Sequence, residues 1–394
     1  MSREPAGRAA PLPRVTVTEV ALVRTRLALL RPFTTAFGRQ SEREVLLVRV
    51  TADGGGGPVV GWGECTTTAA PVYNEEFTAG AALVLAEHLV PAALGPGRAL
   101  DGPLLRHRLA HVRGHAMARA ALEVAVVDAQ LRAAGQRLAD HLGAVRDRVP
   151  AGVSVGIPDG PVDRAADALV EEVTGYLDAG YLRIKCKVRP GFDVGPLTRL
   201  RAELGDDVAL QVDANAGYDP DDPGHVAALD ALDELGLVLL EQPFAPARLR
   251  AHARHAARWR TPVCLDESIH DAADAADAIA LGACRIVNVK LGRVGGLAEA
   301  VAIRDVCRAA GIPVWCGGML ESGIGRAANL ALAALDGFDL PADLSASKRY
   351  WQEDLTEPFD LVDGHLEVPT GPGIGRAPLP DRLAPAQITL LHGR

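Results

Sequence analysis

From Val15 to about Thr25 and from Glu44 to Val50 the chain is dense in β-branched residues. Val59 to Cys65 resumes that pattern after a turn, Asp53 to Pro58, that holds four consecutive glycines. Strand, strand, turn and returning strand predict an antiparallel start. Apolar residues then recur at helical spacing over Asn74 to Leu94, Pro103 to Val112 and His115 to Ala134, the last stopped by Gly135. Residues 1–135 therefore read as one α+β unit, in which an Ala-, Pro- and Arg-rich tail over residues 1–14 is expected to be disordered.

Beyond Val149 the texture changes to short apolar runs alternating with amphipathic helical stretches. The runs are Gly152 to Ile157, Leu182 to Val188, Ala209 to Asp213, Leu237 to Glu241, Val263 to Asp266, Ile286 to Leu291 and Val314 to Cys316. Polar residues stand at or near the ends of most of them: Lys187, Asp213, Glu241, Asp266 and Lys290, separated by 24 to 28 residues, about one βα unit each. Regular βα repetition without a Rossmann glycine fingerprint predicts an α/β protein with a closed parallel barrel over residues 136–343. The remainder, 344–394, is Pro-rich, with strand candidates at Gly364 to Val368 and Ala386 to Leu391, and is expected to pack back on the N-terminal unit.

Composition narrows the function classes. The 394 residues carry a net charge of −9, which favours neither nucleic acid nor anionic membrane as partner and leaves small molecules. Six cysteines show no CxxC pairing and several sit inside apolar runs, so they read as buried thiols of a cytoplasmic protein. No uncharged apolar run is long enough to span a bilayer.

The chemistry is carried by the strand ends. In Arg-Ile-Lys-Cys-Lys-Val, Lys185 and Lys187 share one face of a strand, with Ile184, Cys186 and Val188 on the other. Asp213, Glu241 and Asp266 each close an apolar run, and in a barrel they would converge. Each alone reads equally as the N-cap of the following helix, but three such anions together call for partial protonation or for a cation among them. Oxygen-only ligands select a hard ion, Mg²⁺ first and Mn²⁺ second. Lys290 lies four strands on from Lys187, roughly across the barrel. Two lysines facing one ligand could move protons on both faces of a carbon α to a carboxylate, provided a cation stabilises the enolate. The like charge of Lys185 would favour an uncharged, proton-accepting Lys187. Asn215 shares the face of Asp213, and the glycine-rich run Cys316 to Gly325 suits close approach by a ligand.

These motifs, Lys185-x-Lys187, Asp213-Ala-Asn215, Glu241-Gln-Pro, Asp266-Glu-Ser and Lys290-Leu-Gly, resemble the muconate-lactonizing-type subgroup of the enolase superfamily. Gly61-Trp-Gly-Glu-Cys65, Gly114-His-Ala-Met-Ala118, Gly152-Val-Ser-Val-Gly-Ile157 and Gly317-Gly-Met-Leu-Glu-Ser-Gly-Ile-Gly-Arg326 resemble more closely its o-succinylbenzoate synthase / N-acylamino acid racemase family. The resemblance implies a modified TIM barrel, (β/α)7β, under an α+β capping domain. It implies Mg²⁺ on Asp213, Glu241 and Asp266, Lys187 and Lys290 as acid and base, and Lys185 in support. Phe33 and Tyr73 match its lid regions, and Ser154, Gly318, Met319 and Leu320 match its substrate pocket. The implied reactions pass through an enediolate of a small carboxylate: dehydration to o-succinylbenzoate on the menaquinone route, or racemisation of N-acyl and N-succinyl amino acids. Another cycloisomerase or epimerase of the superfamily, or a Schiff-base barrel lyase, is the alternative, and a homo-oligomer is the expected assembly.

Overall fold

A computed structural model describes residues 12–393. The expected tail falls mostly outside them. Its last three residues are anchored: Leu12 packs on the core, Gln130 Nε2 donates to the Pro13 carbonyl at 2.7 Å, and Arg14 pairs with Asp101 at 2.9 Å.

The N-terminal unit is an antiparallel sheet of β1 (Val15–Thr35), β2 (Gly38–Asp53) and β3 (Pro58–Cys65), with a short Ala99–Leu100 pairing on β1. β1 runs ten residues past its predicted end at Thr25. Its apolar alternation weakens there, but ion pairs to β2, Arg24 with Glu44 and Arg26 with Glu42, carry the hairpin onward to Thr35 opposite Gly38. That extension has a consequence for the site: Ile157 N donates to the Thr34 carbonyl at 2.9 Å, so the hairpin tip is tied to the mouth of the barrel. The helix expected from Asn74 starts at Thr78 and passes through a π-helical turn at Leu85–Leu89 before ending at Leu94.

Helix α1 (Ala116–Ala134) lies across this sheet, and its seating depends on two glycines of β3. A Cβ on Gly61 would sit 2.0 Å from the Ala125 carbonyl oxygen, and one on Gly63 would sit 2.0 Å from that of Ala121. Backbone against backbone cannot yield as a flexible side chain does. Gly63→Ala is therefore expected to destabilise the fold by about 2–3 kcal/mol, read as a lower urea midpoint.

The second unit is a parallel sheet in chain order: β4 (Gly152–Val155), β5 (Arg183–Lys187), β6 (Leu210–Asp213), β7 (Leu239–Glu241), β8 (Val263–Leu265), β9 (Ile286–Val289) and β10 (Val314–Cys316). Each is followed by a helix: α2 (Val162–Asp178), α3 (Val194–Leu204), α4 (Pro223–Asp233), α5 (Leu249–Ala256), α6 (Ala272–Ala280), α7 (Leu297–Ala309) and α8 (Gly323–Ala333). The sheet curls, and residues 338–343 form an eighth stave that sequence patterning did not find. Asp339 N donates to the Val314 carbonyl and Asp343 N to that of Cys316. On the other side Ala342 N donates to Pro150 O and Gly152 N to Ala342 O. With only single bridges to its neighbours and Pro341 within it, this stretch carries no strand signal.

The C-terminal stretch divides. His365–Glu367 pairs antiparallel with Arg148–Pro150, ahead of β4, whereas β11 (Gln387–Gly393) pairs with β1 from Arg24 opposite Gln387 to Glu19 opposite Gly393. The apolar faces of the barrel strands, Ile184, Cys186 and Val188 among them, lie in the main core. Their opposite faces carry the polar groups beside a small separate core of Leu239, Cys264, Ile286 and Trp315.

Candidate active site

Parallel register sets the strand ends beside one another: Lys187 stands opposite Asp213, and Asp213 opposite Glu241. Glu241 stands opposite Cys264, two residues before Asp266. Lys185, Lys187, Asp213, Glu241, Asp266 and Lys290 are all buried. Lys187 Nζ donates to Asp213 Oδ2 at 2.6 Å and to Asn215 Oδ1 at 2.9 Å. Lys185 Nζ lies 3.2 Å from the same Asp213 oxygen, 3.0 Å from Glu241 Oε2 and 2.9 Å from Asp343 Oδ2. Lys290 Nζ lies 2.7 Å from Asp266 Oδ2, and Arg293 also pairs with Asp266.

The expected clash of Lys185 with Lys187 is thereby corrected. Asp213 is a counter-ion to both, so repulsion between the two ammonium groups is screened at its source. Burial works against the charge of Lys185, but Asp343, Glu241 and Asp213 outweigh it and raise its pKa well above the ordinary value. Lys290 is likewise raised, with Asp266 and then Tyr73 and Glu267 overcoming burial. Among the carboxyls, burial works to raise Asp213, yet Lys187 and Lys185 hold it down to about 2. Glu241 goes the other way: burial, then the charge of Asp213, push it up to about 8, with Asp266 adding to the push. Burial and the charges of Asp266 and Asp213 raise Glu267 to about 7.

The seven residues expected at the substrate, Phe33, Tyr73, Ser154, Asn215, Gly318, Met319 and Leu320, line one cavity together with Lys185, Lys187 and Lys290. Tyr73 reaches deeper than a lid residue need: its hydroxyl donates to Asp266 Oδ1 at 3.0 Å, and Lys290 Nζ sits 4.7 Å from its ring centroid. Ser154 Oγ donates to Asp343 Oδ2 at 3.1 Å. Asn215 lies past the end of β6 in the left-handed region (φ 41°), where its Nδ2 donates to Glu267 Oε1 at 3.1 Å. His252 and His255 are buried against Phe244, ring centroids 5.2 and 5.1 Å away. An amphipathic helix facing the barrel accounts for both, since positions three apart share its buried side.

Several site residues were not foreseen. Asn288 Nδ2 donates to Glu241 Oε1 at 2.7 Å; the period-two pattern in Val-Asn-Val-Lys already put it on the face of Lys290. Asp343 belongs to the stave that carried no strand signal. Glu267 and Arg293 follow recognised residues but break the strand alternation. Arg43 and Tyr350 come from distant parts of the chain and reach the cavity only through the tertiary fold.

Among the described residues, no three His, Cys, Asp or Glu side chains stand in a ligating cluster, because each strand-end carboxylate is turned on a lysine. The donor set nevertheless fits a hard divalent cation. All its atoms are carboxylate oxygens, and burial, then the charge of Asp213 on Glu241 and of Asp266 on Glu267, pushes both groups upward. Lone pairs also remain unused: Glu267 Oε2 is buried without a hydrogen bond, and so is Asp266 Oδ2, which is close to Lys290 but receives no well-directed one.

Residues 17–143 match the mandelate racemase / muconate lactonizing enzyme N-terminal domain family, and residues 168–382 the enolase C-terminal domain-like family. Enolase superfamily members depend on divalent metal. An N-succinylamino acid racemase from Amycolatopsis sp. is 52% identical over 364 residues, 92% of this chain and 95% of that protein. An o-succinylbenzoate synthase from Geobacillus kaustophilus is 42% identical, covering 92% of this chain and 93% of its own. Among solved structures, an enolase superfamily member from Listeria innocua superposes with a TM-score of 0.87 at 34% identity, over 96% of this chain and all of that one.

Proposed function

Because the chain belongs to the mandelate racemase / muconate lactonizing enzyme family of the enolase superfamily, we propose that it abstracts the proton α to a carboxylate in N-succinyl and other N-acyl amino acids and racemises them, and that it also dehydrates the precursor of o-succinylbenzoate. Racemisation comes first, since the relative sharing 52% of residues carries that name and the one at 42% the synthase name. The observation that carries the reading is a pair of buried lysines, Lys187 and Lys290, on strands four apart and facing one cavity, with carboxylates at the ends of the strands between.

Lys187 and Lys290 would each hold or accept the α-proton on one face of the substrate carbon. Lys185, locked by three carboxylates, contributes fixed positive charge. Asp213, Glu241 and Asp266 would hold Mg²⁺, which supplies positive charge to the substrate carboxylate as it gains enediolate character. Phe33 and Tyr73 close the cavity against water, while Ser154, Asn215, Gly318, Met319 and Leu320 shape it around the ligand. The six buried free cysteines suit a reducing compartment, and we place the enzyme in the cytoplasm.

The purified protein with Mg²⁺ is to be assayed side by side on N-succinyl and N-acetyl amino acids and on the o-succinylbenzoate precursor. The expected order of kcat/KM is N-succinyl above N-acetyl, with measurable dehydration. Absence of α-proton exchange with all of them would reject the reading and favour a cycloisomerase or dipeptide epimerase, while borohydride trapping of a covalent adduct would favour the Schiff-base lyase.

A further inference from the structure

The geometry points to Arg43 as the group that binds a second, distal carboxylate of the substrate, which makes the site selective for N-acyl groups ending in a carboxylate. This rests on the proposed reading and deepens it. The cavity holds three lysines, and each already has a carboxylate partner: Lys185 has Asp213, Glu241 and Asp343, Lys187 has Asp213, and Lys290 has Asp266. Arg43 is the exception. It is 2% exposed, lines the same cavity, and has no carboxylate oxygen within ion-pair distance among the described residues.

Among the described residues its guanidinium makes one hydrogen bond, Nη2 to the Thr66 carbonyl at 2.6 Å, and Nε is buried with no partner. Three acidic residues stand near enough to be felt, Glu64, Glu321 and Glu44, but all are committed elsewhere, Glu44 to Arg24. Glu64 accepts from Ser322 N, Ser322 Oγ and Gly325 N. Glu321 accepts from Met319 N and Asn329 Nδ2. A buried cation with most of its donors idle is costly unless an anion arrives to use them, and a guanidinium presents paired donors that match a carboxylate.

The placement also separates two binding tasks. The α-carboxylate belongs at the strand-end cluster on the barrel. Arg43 stands on β2 of the capping sheet, on the wall that Thr35, Phe37, Gln40 and Thr68 share. A ligand anchored at the barrel by one carboxylate therefore meets the cap with its acyl tail, and the cation on that wall without an ion pair among the described residues is Arg43. A neutral tail leaves the cation unanswered; a succinyl tail satisfies it.

The test compares N-succinyl amino acids with the same compounds carrying a terminal carboxamide in place of the distal carboxylate, on wild type, Arg43→Met and Arg43→Lys, by kcat/KM and by calorimetric affinity in Mg²⁺. Wild type is expected to prefer the carboxylate by about 10²-fold. Arg43→Met should lose that preference by weakening the succinyl compound alone, with the carboxamide changed less than about 3-fold, and Arg43→Lys should recover part of it. An equal loss on both compounds, or a preference that survives in Arg43→Met, overturns the assignment. Calorimetry keeps the two readings apart: if neither compound is turned over by wild type the racemase reading fails, while discrimination in binding that depends on Arg43 still supports the subsite, and its absence still rejects it. A matching thermal midpoint for the two variants shows that the fold is intact.

Discussion

Lys290→Ala is expected to lower racemisation by about 10³-fold while leaving solvent deuterium exchange at the α-carbon of one enantiomer, and Lys187→Ala is expected to leave exchange of the other. The two halves follow from the placement of the lysines on strands four apart, each able to serve one face. The ion-pair network predicts that both variants fold. Without Lys290, Asp266 keeps Arg293; without Lys187, Asp213 keeps Lys185. No buried carboxylate is stranded, so the kinetic loss can be read as loss of a proton-transfer group. Dehydration needs only one base. Any synthase activity lost in Lys290→Ala would then report the missing positive charge near Asp266. If the Lys290→Ala enzyme exchanged both enantiomers at near-normal rates, the two-base assignment would be wrong.

The sequence made the barrel legible because its signal is local and repeated. A polar residue near the end of an apolar run, every 24 to 28 residues, is visible without any knowledge of which strands touch. The same local logic found Lys185 and Lys187 on one face. What it could not supply was the set of partners. Asp343 ends a stave with a proline and two isolated bridges, and the closing hydrogen bonds exist only once β4 and β10 have been brought together. Without Asp343 and the shared Asp213, the paired lysines looked like an uncompensated repulsion. The β1–β2 hairpin failed in a related way. Its outer half is held by cross-strand ion pairs and by the Thr34 carbonyl docking on the barrel, neither of which alters the residue pattern along one strand. Arg43 was invisible for the same reason. In sequence it is one charge in a polar stretch, Arg39 to Glu44, and only the fold shows that it is buried and lacks the ion pair its neighbour Glu44 makes with Arg24.

Glu241→Gln is expected to abolish the response to metal while sparing the fold, which separates cation binding from structural support. In the native arrangement Glu241 Oε1 accepts from Asn288 Nδ2 and Oε2 faces Lys185. A glutamine amide can keep both contacts. Its oxygen accepts from Lys185, and its NH₂ donates to Asn288 Oδ1, at present buried without a partner, once the Asn288 amide turns over. Lys185 retains Asp213 and Asp343 in either case. The stability of the metal-free variant should thus stay within about 1 kcal/mol of wild type. Wild type is expected to gain about 2.7 kcal/mol at Mg²⁺ concentrations near a hundred times Kd, seen as a rising thermal midpoint, and the variant is expected to gain almost none. Turnover should fall by about 10²–10³-fold in the variant, and chelation of wild type should abolish turnover until Mg²⁺ is returned. A wild-type enzyme that keeps full activity in EDTA, with no thermal response to Mg²⁺, would remove the cation from the mechanism and leave the buried carboxylates as counter-ions to the lysines alone.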